Sequence, residues 1–168
     1  MKKIYLIITL VLVSSYSCKA QFNKLTRTEY YNIKINDVTF QSIYDTNADT
    51  VTMKALFGSS LEFEANTTGP FLGRDFRNNT VYLSFEDDSD TGNEYYLTNI
   101  QIETSLATVN VKGINVKLGD HKSVFGSLLL NRNTNSIIFI DEETGTSSLA
   151  FKISPLTDKI IKIEFNAY

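Results

Sequence analysis

The chain has one cysteine, one histidine, two prolines and no tryptophan in 168 residues. A single cysteine excludes an intrachain disulfide. One cysteine with one histidine excludes a Cys/His zinc site. No G-x-S-x-G elbow accompanies His121, so no nucleophile-elbow triad is encoded. Both the G-x-x-x-x-G-K-[ST] and the G-x-G-x-x-G phosphate loops are missing. Basic residues are also in short supply: 16 Lys+Arg stand against 19 Asp+Glu, for a formal charge of −3. A nucleic-acid binder needs a basic stripe, and none is present. No catalytic constellation, metal site or cofactor site is therefore assigned. What the chain does have is a 42% hydrophobic fraction, enough for a packed core.

The first apolar material lies at the N-terminus. Met1-Lys2-Lys3 is a positive start, Ile4 to Val13 is an apolar run broken only by Thr9, and Ser14 to Ser17 is small and mostly polar. This is the form of a secretory signal over residues 1–20. A membrane-spanning helix needs ~20 apolar residues, twice this length. Two processing sites fit. Cys18-Lys19-Ala20 before Gln21 matches a small-x-small cleavage site. Ser15-Tyr16-Ser17-Cys18 resembles a bacterial lipobox, cut after residue 17, with Cys18 lipidated. Either cut takes more basic than acidic residues with it, so the mature domain is more acidic than the whole chain.

Beyond this segment, apolar residues recur at every second position. The sets are Ile33 and Ile35; Leu61, Phe63 and Ala65; Val81, Leu83 and Phe85; Val109 and Val111; Leu149, Phe151 and Ile153; and Ile161, Ile163 and Phe165. Period two with one apolar face means half-buried antiparallel strands. Asp90-Thr91-Gly92-Asn93 and Asp141 to Gly145 have hairpin chemistry. Two short helices are expected. Asp49 caps Thr50 to Phe57, which stops at Gly58 and turns Val51, Ala55 and Leu56 towards the sheet. Asp120 caps His121 to Phe125, which stops at Gly126.

The two helices read as copies. Leu56-Phe57-Gly58-Ser59 lies over Val124-Phe125-Gly126-Ser127. Before them, Asn36 to Phe40 lies over Lys112 to Val116. After them, Leu83-Ser84-Phe85 lies over Leu149-Ala150-Phe151, and Thr98 to Ile102 over Ile161 to Phe165. The expected fold is α+β and dominated by antiparallel sheet. It consists of two tandem strand–short helix–three-strand repeats, 21–103 and 104–168, with Phe57 and Phe125 buried at equivalent places.

Ile114-Asn115-Val116-Lys117-Leu118-Gly119-Asp120, followed by Val124-Phe125-Gly126, resembles a signature of small bacterial envelope domains. These are the β-lactamase-inhibitor-protein-like domains and the outer-membrane-assembly lipoprotein (SmpA/OmlA) domains. The resemblance implies short helices on an antiparallel sheet, a tandem repeat, and surfaces that bind proteins. It carries over no individual binding residue, and the first copy lacks the Gly-Asp pair.

The one concentration of like charge is Glu86, Asp87, Asp88, Asp90 and Glu94, at a hairpin connection. A bidentate Glu at the twelfth position is absent, so it is not a calcium loop. It suits docking of a basic protein, with Tyr95 beside it as an aromatic anchor and Tyr96 turned to the core. Asp49-Thr50-Val51 resembles the Asp-Thr-aliphatic O-glycosylation site of some envelope proteins. The expectation is an extracytoplasmic, non-enzymatic protein-binding module of the cell envelope, in its sharper form an inhibitor or immunity protein. It would touch a membrane only through a lipid anchor. An envelope assembly lipoprotein is the alternative, and a small hydrolase the third reading. Mass spectrometry of the mature protein is expected to show a chain beginning at an acylated Cys18. An unmodified chain beginning at Gln21 would refute the anchor.

Overall fold

The computed structural model describes residues 22–66, 72–87 and 94–167. A β-strand, β1 (Asn23–Leu25), leads into helix α1 (Arg27–Tyr31). Thr26 opens α1 with a capping box, its hydroxyl taking the Glu29 N–H while the Glu29 carboxylate takes the Thr26 N–H. The hairpin β2 (Lys34–Ile35) and β3 (Val38–Thr39) runs directly into α2 (Phe40–Asp45), capped by Thr39. Helix α3 (Thr50–Phe57) begins at Asp49 and ends at Gly58, whose φ of +94° favours glycine. Four strands follow: β4 (Glu62–Asn66), β5 (Gly73–Arg77), β6 (Val81–Asp87) and β7 (Tyr95–Ile102). The second half lacks counterparts of β1 and α1 and runs through a hairpin, one turn and four strands. The hairpin β8 (Val109–Val111) and β9 (Ile114–Val116) is followed by a 3₁₀ turn (Lys122–Phe125). Then come β10 (Leu130–Asn131), β11 (Ser136–Asp141), β12 (Ser147–Ile153) and β13 (Ile160–Ala167).

The architecture is α+β and dominated by antiparallel sheet. Among the described residues the main sheet has nine strands in the order β1-β11-β12-β13-β7-β6-β5-β4, with β10 also on β11. Each half contributes a meander, and the two meet where their last strands, β7 and β13, pair antiparallel. The hairpins form a second sheet, β3-β2-β8-β9, joined by β2 and β8. At the β7–β13 seam, residues that the sequence alignment equates stand opposite each other, Gln101 facing Glu164; at the hairpin seam Lys34 faces Asn110. The first turn residue of each hairpin, Asn36 and Lys112, is left-handed at φ +50° and +52°.

The small sheet and the helices cover one face of the main sheet. Ile35 and Val109 from above, with Ile100, Leu149, Ile163 and Phe165 from below, enclose a void of only about 10 Å³. All buried apolar residues form one continuous cluster. The first half adds Tyr30, Phe40, Ile43 and Met53 to it, and the second adds Phe125.

Several sequence expectations are corrected. Helices α1 and α2 were not expected, although Thr26-x-x-Glu29 is a legible capping box. In α3 the core residue is Met53, while Val51 is 76% exposed and Ala55 is exposed. Asp120 takes the Lys117 N–H and closes the preceding turn, so His121 caps the 3₁₀ turn through Nδ1. Residues Phe63 and Ala65 are exposed despite their alternation, because β4 lies at the sheet edge. In β13 an extra residue falls between the partners of Lys152 and Ile153, so Ile160 is buried and Ile161 exposed. The third meander strands correspond two residues away from the sequence alignment. Leu83 faces Ile100 as Phe151 faces Ile163, so Leu83 and Phe151 are the equivalent pair.

The two helix-end glycines are left-handed as expected, Gly126 at φ +59°. Their phenylalanines do not match. Phe125 is buried against Phe139 and Phe151, with ring centroids at 6.4 and 4.9 Å, whereas Phe57 is half-buried at the end of α3. Phe125→Ala is therefore expected to cost about 3–5 kcal/mol and Phe57→Ala clearly less. Denaturant midpoints of the two variants check this, and equal losses would contradict it.

Candidate interaction surface

The face of the main sheet opposite the core is built from the alternate residues of each strand, and its rows follow from the strand register. One row runs Glu62, Arg77, Tyr82, Gln101 and Glu164 across β4, β5, β6, β7 and β13. The next runs Glu64, Asp75, Ser84, Asn99 and Asn166. A third brings Glu86 opposite Tyr96. Polar side chains on this face bond to one another. The Ser84 hydroxyl donates to Asp75 at 2.7 Å, and the Asn99 amide donates to Asn166 Oδ1 at 2.8 Å. Arg77 pairs with Glu103 at 3.0 Å. Burial pushes the Tyr82 phenol up from its ordinary range. Acids concentrate towards the β4 end, where Glu64 lies directly across from Asp75. Like charges in opposed positions destabilise a sheet unless something compensates them.

The expected site residues divide between faces. Glu86 is exposed on this outer surface, and Glu94 is exposed at the start of β7. Asp87 is not: it is 1% exposed on the core side, opposite Tyr95, and its N–H donates to the Leu72 carbonyl at 2.8 Å. It is a buried structural acid and not an outward-reaching one. Asp88 and Asp90, with the turn Asp90 to Asn93, lie outside the described residues, as does Cys18. The two tyrosines exchange places. Thr98 is an extra residue between the partners of Ser84 and Phe85, and this bulge shifts the phase of β7 by one. Tyr96 is consequently 48% exposed beside Glu86, and Tyr95 turns inward. Thr50 is half-buried in the first turn of α3. Its neighbour Asp49 accepts from the Thr52 N–H and hydroxyl, which holds the Asp49 carboxyl below the ordinary range.

Tyr95 belongs to a cluster that the sequence did not announce. The Arg74 guanidinium lies 4.2 Å from its ring centroid and donates to the Ala48 carbonyl at 2.9 Å. The Tyr95 N–H donates to Asn47 Oδ1 at 2.8 Å. Asn47 and Ala48 are both left-handed, at φ +47° and +54°. For a residue with a β-carbon this costs roughly 1–2 kcal/mol. Arg74 and Tyr95 therefore hold the α2–α3 turn in a conformation it would not keep alone. Asn47 is the one residue type here with a left-handed tendency that sequence inspection detects.

A second concavity lies between α1 and α2. It is an open groove of about 730 Å³ lined by Arg27, Tyr31, Gln41, Tyr44 and Glu143 among others. The Tyr30 and Tyr44 hydroxyls are 2.9 Å apart, and burial pushes both phenols up. Arg27 pairs with Glu143 at 3.0 Å and lies over the Tyr31 ring. The groove's cation is thus already matched by an anion. Among the described residues no group of three His, Cys, Asp or Glu side chains is placed to hold a metal ion, and no helix is long and apolar enough to cross a membrane.

Comparison of the chain with known protein families, with characterised proteins and with solved structures finds no match.

Arg74→Ala is expected to destabilise the protein by about 1–3 kcal/mol, since it removes a partly buried charge-assisted hydrogen bond and a stacked cation. Thermal unfolding together with amide exchange at Tyr95 checks this. Unchanged exchange at Tyr95 would show that the α2–α3 turn does not depend on Arg74.

Proposed function

We propose that the chain is an exported, non-enzymatic module that binds another protein in the bacterial cell envelope, an inhibitor or immunity protein being its sharper form. The observation that carries the reading is the placement of Glu62, Glu64, Asp75 and Glu86 with Tyr96 on one open sheet face. Exposed acids steer a basic partner into encounter, and an exposed aromatic supplies contact area with little entropy to lose. The sheet beneath is backed on its other face by the packed core, so the face is organised before the partner arrives. The resemblance to small envelope domains that use their surfaces for protein binding points the same way. So does the N-terminal segment with the form of an export signal. The reading of the two halves as copies of one unit belongs to this proposal. Its supports are the similar element order from the hairpins onward and the opposed equivalent residues Gln101 and Glu164.

A photo-cross-linking residue at Tyr96 in the native host tests the proposal. The expected result is a discrete adduct with one protein, weakened by high salt and by Glu86→Lys. Exposed charges act over a screening length of roughly 8–10 Å, so salt dependence is part of the expectation. The change at Glu86 should leave stability within about ±0.5 kcal/mol. Absence of an adduct, or an adduct indifferent to salt and to Glu86, would overturn the proposal.

A further inference from the structure

The two ends of the nine-stranded sheet are finished differently. At one end, β11 is covered along one half by β10 and along the other by β1, which pairs with it in parallel. Asn23 completes that seal: its side-chain oxygen takes the Leu129 N–H at 3.0 Å and its amide donates to the Leu129 carbonyl at 3.1 Å. The outermost strands there are only three and two residues long. At the other end is β4, five residues paired in unbroken register with β5. Among the described residues no strand or helix pairs with its free side. Glu62, Phe63, Glu64 and Ala65 are all exposed, so even the core-side positions of β4 project past the core. The strand contains no proline or bulge to stop it from accepting another strand, and its only charges are the two glutamates, which repel an acidic strand and attract a basic one.

The charges on β4 select what it accepts. Glu62 and Glu64 lie on the outer face, and Glu64 already opposes Asp75. A second copy of this chain paired edge to edge would bring glutamates against glutamates, which the sheet disfavours. A strand with Lys or Arg at alternate positions places each cation beside Glu62 or Glu64, and a residue between them meets Phe63, which is 41% exposed. Resting on the protein-binding reading above, we infer that β4 adds an extended, alternately basic and apolar segment of the partner protein as a tenth strand. Main-chain hydrogen bonds along roughly 17 Å of edge supply the attachment, and the glutamates select the sequence.

The test uses the mature protein and the peptide acetyl-Lys-Val-Lys-Val-Lys-Val-Lys-amide. The expected result is saturable binding, with chemical-shift changes and slowed amide exchange centred on Glu62 to Asn66. The same peptide N-methylated at alternate amides keeps its charge but loses strand hydrogen bonds, and is expected to bind at least ~10-fold more weakly. The double variant Glu62→Lys, Glu64→Lys is expected to weaken the parent peptide by a similar factor. The methylated peptide needs no variant, so the test holds even if the double variant folds poorly. Equal binding of both peptides would reduce the effect to charge alone and overturn strand addition. So would shifts centred on another strand, or sedimentation showing self-association through β4. A Tyr96 adduct that persists while the peptide fails to bind would remove this inference and leave the protein-binding reading standing.

Discussion

The pairing of β7 with β13 is the contact on which the rest of the molecule depends. Three residue pairs make it: Gln101 with Glu164, Ile100 with Phe165, and Asn99 with Asn166. The Asn99 side chain reinforces it by donating to the Phe165 carbonyl at 3.2 Å as well as to Asn166. Without this seam each half would be a four-stranded meander with a bare last strand and too little core to stand alone. With it, Ile100, Ile163 and Phe165 form one apolar floor, on which the hairpin sheet rests through Ile35 and Val109. The β2–β8 pairing overhead then closes the second seam. The Glu29 carboxylate, besides capping α1, pairs with Lys112 in the far hairpin turn at 3.1 Å, and both contacts hold its carboxyl below the ordinary range.

Which side chains reach solvent is set by two single-residue bulges. A strand alternates its faces with period two, so one inserted residue inverts everything beyond it. Thr98 does this in β7 and Ile161 in β13, positions that the sequence alignment equates. The first bulge brings Tyr96 out beside Glu86 and turns Tyr95 in, where Arg74 stacks on it. The exposure of Tyr96 beside Glu86 and the buried cluster that props the α2–α3 turn are thus two results of one extra residue. Asp87 shows the same logic from the other strand. It lies two residues beyond Phe85 on the Val81, Leu83 and Phe85 side of β6, so the same period of two turns it to the core.

From the hairpins onward the halves keep a similar order of elements but not the same detail. The first places α2 and α3 where the second has one 3₁₀ turn, so the Tyr30–Tyr44 pair and the groove beside it have no counterpart. The five-residue β4 stands where the second half has two-residue β10, and β1 makes up the difference on that side. Among the described residues the sheet therefore ends at an uncovered β4 in the first half, while the second half is sealed by β1.

By itself the sequence determined the class of fold, the strands β4, β6, β8 and β12, the helix over Thr50–Phe57 and both helix-end glycines. These depend on local rules: alternation along a strand, an aspartate accepting free N–H groups, a glycine tolerating positive φ. It also carried a capping box at Thr26 and Glu29 that marks α1. Only the tertiary structure decided that β4 is an edge and that Tyr95 and Tyr96 trade faces. The physical reason is that edge position and bulge register depend on which strands become neighbours. Those neighbours, β13 beside β7 and, among the described residues, β5 alone beside β4, are set by the packing of a core shared by both halves, over sequence distances that no local pattern spans.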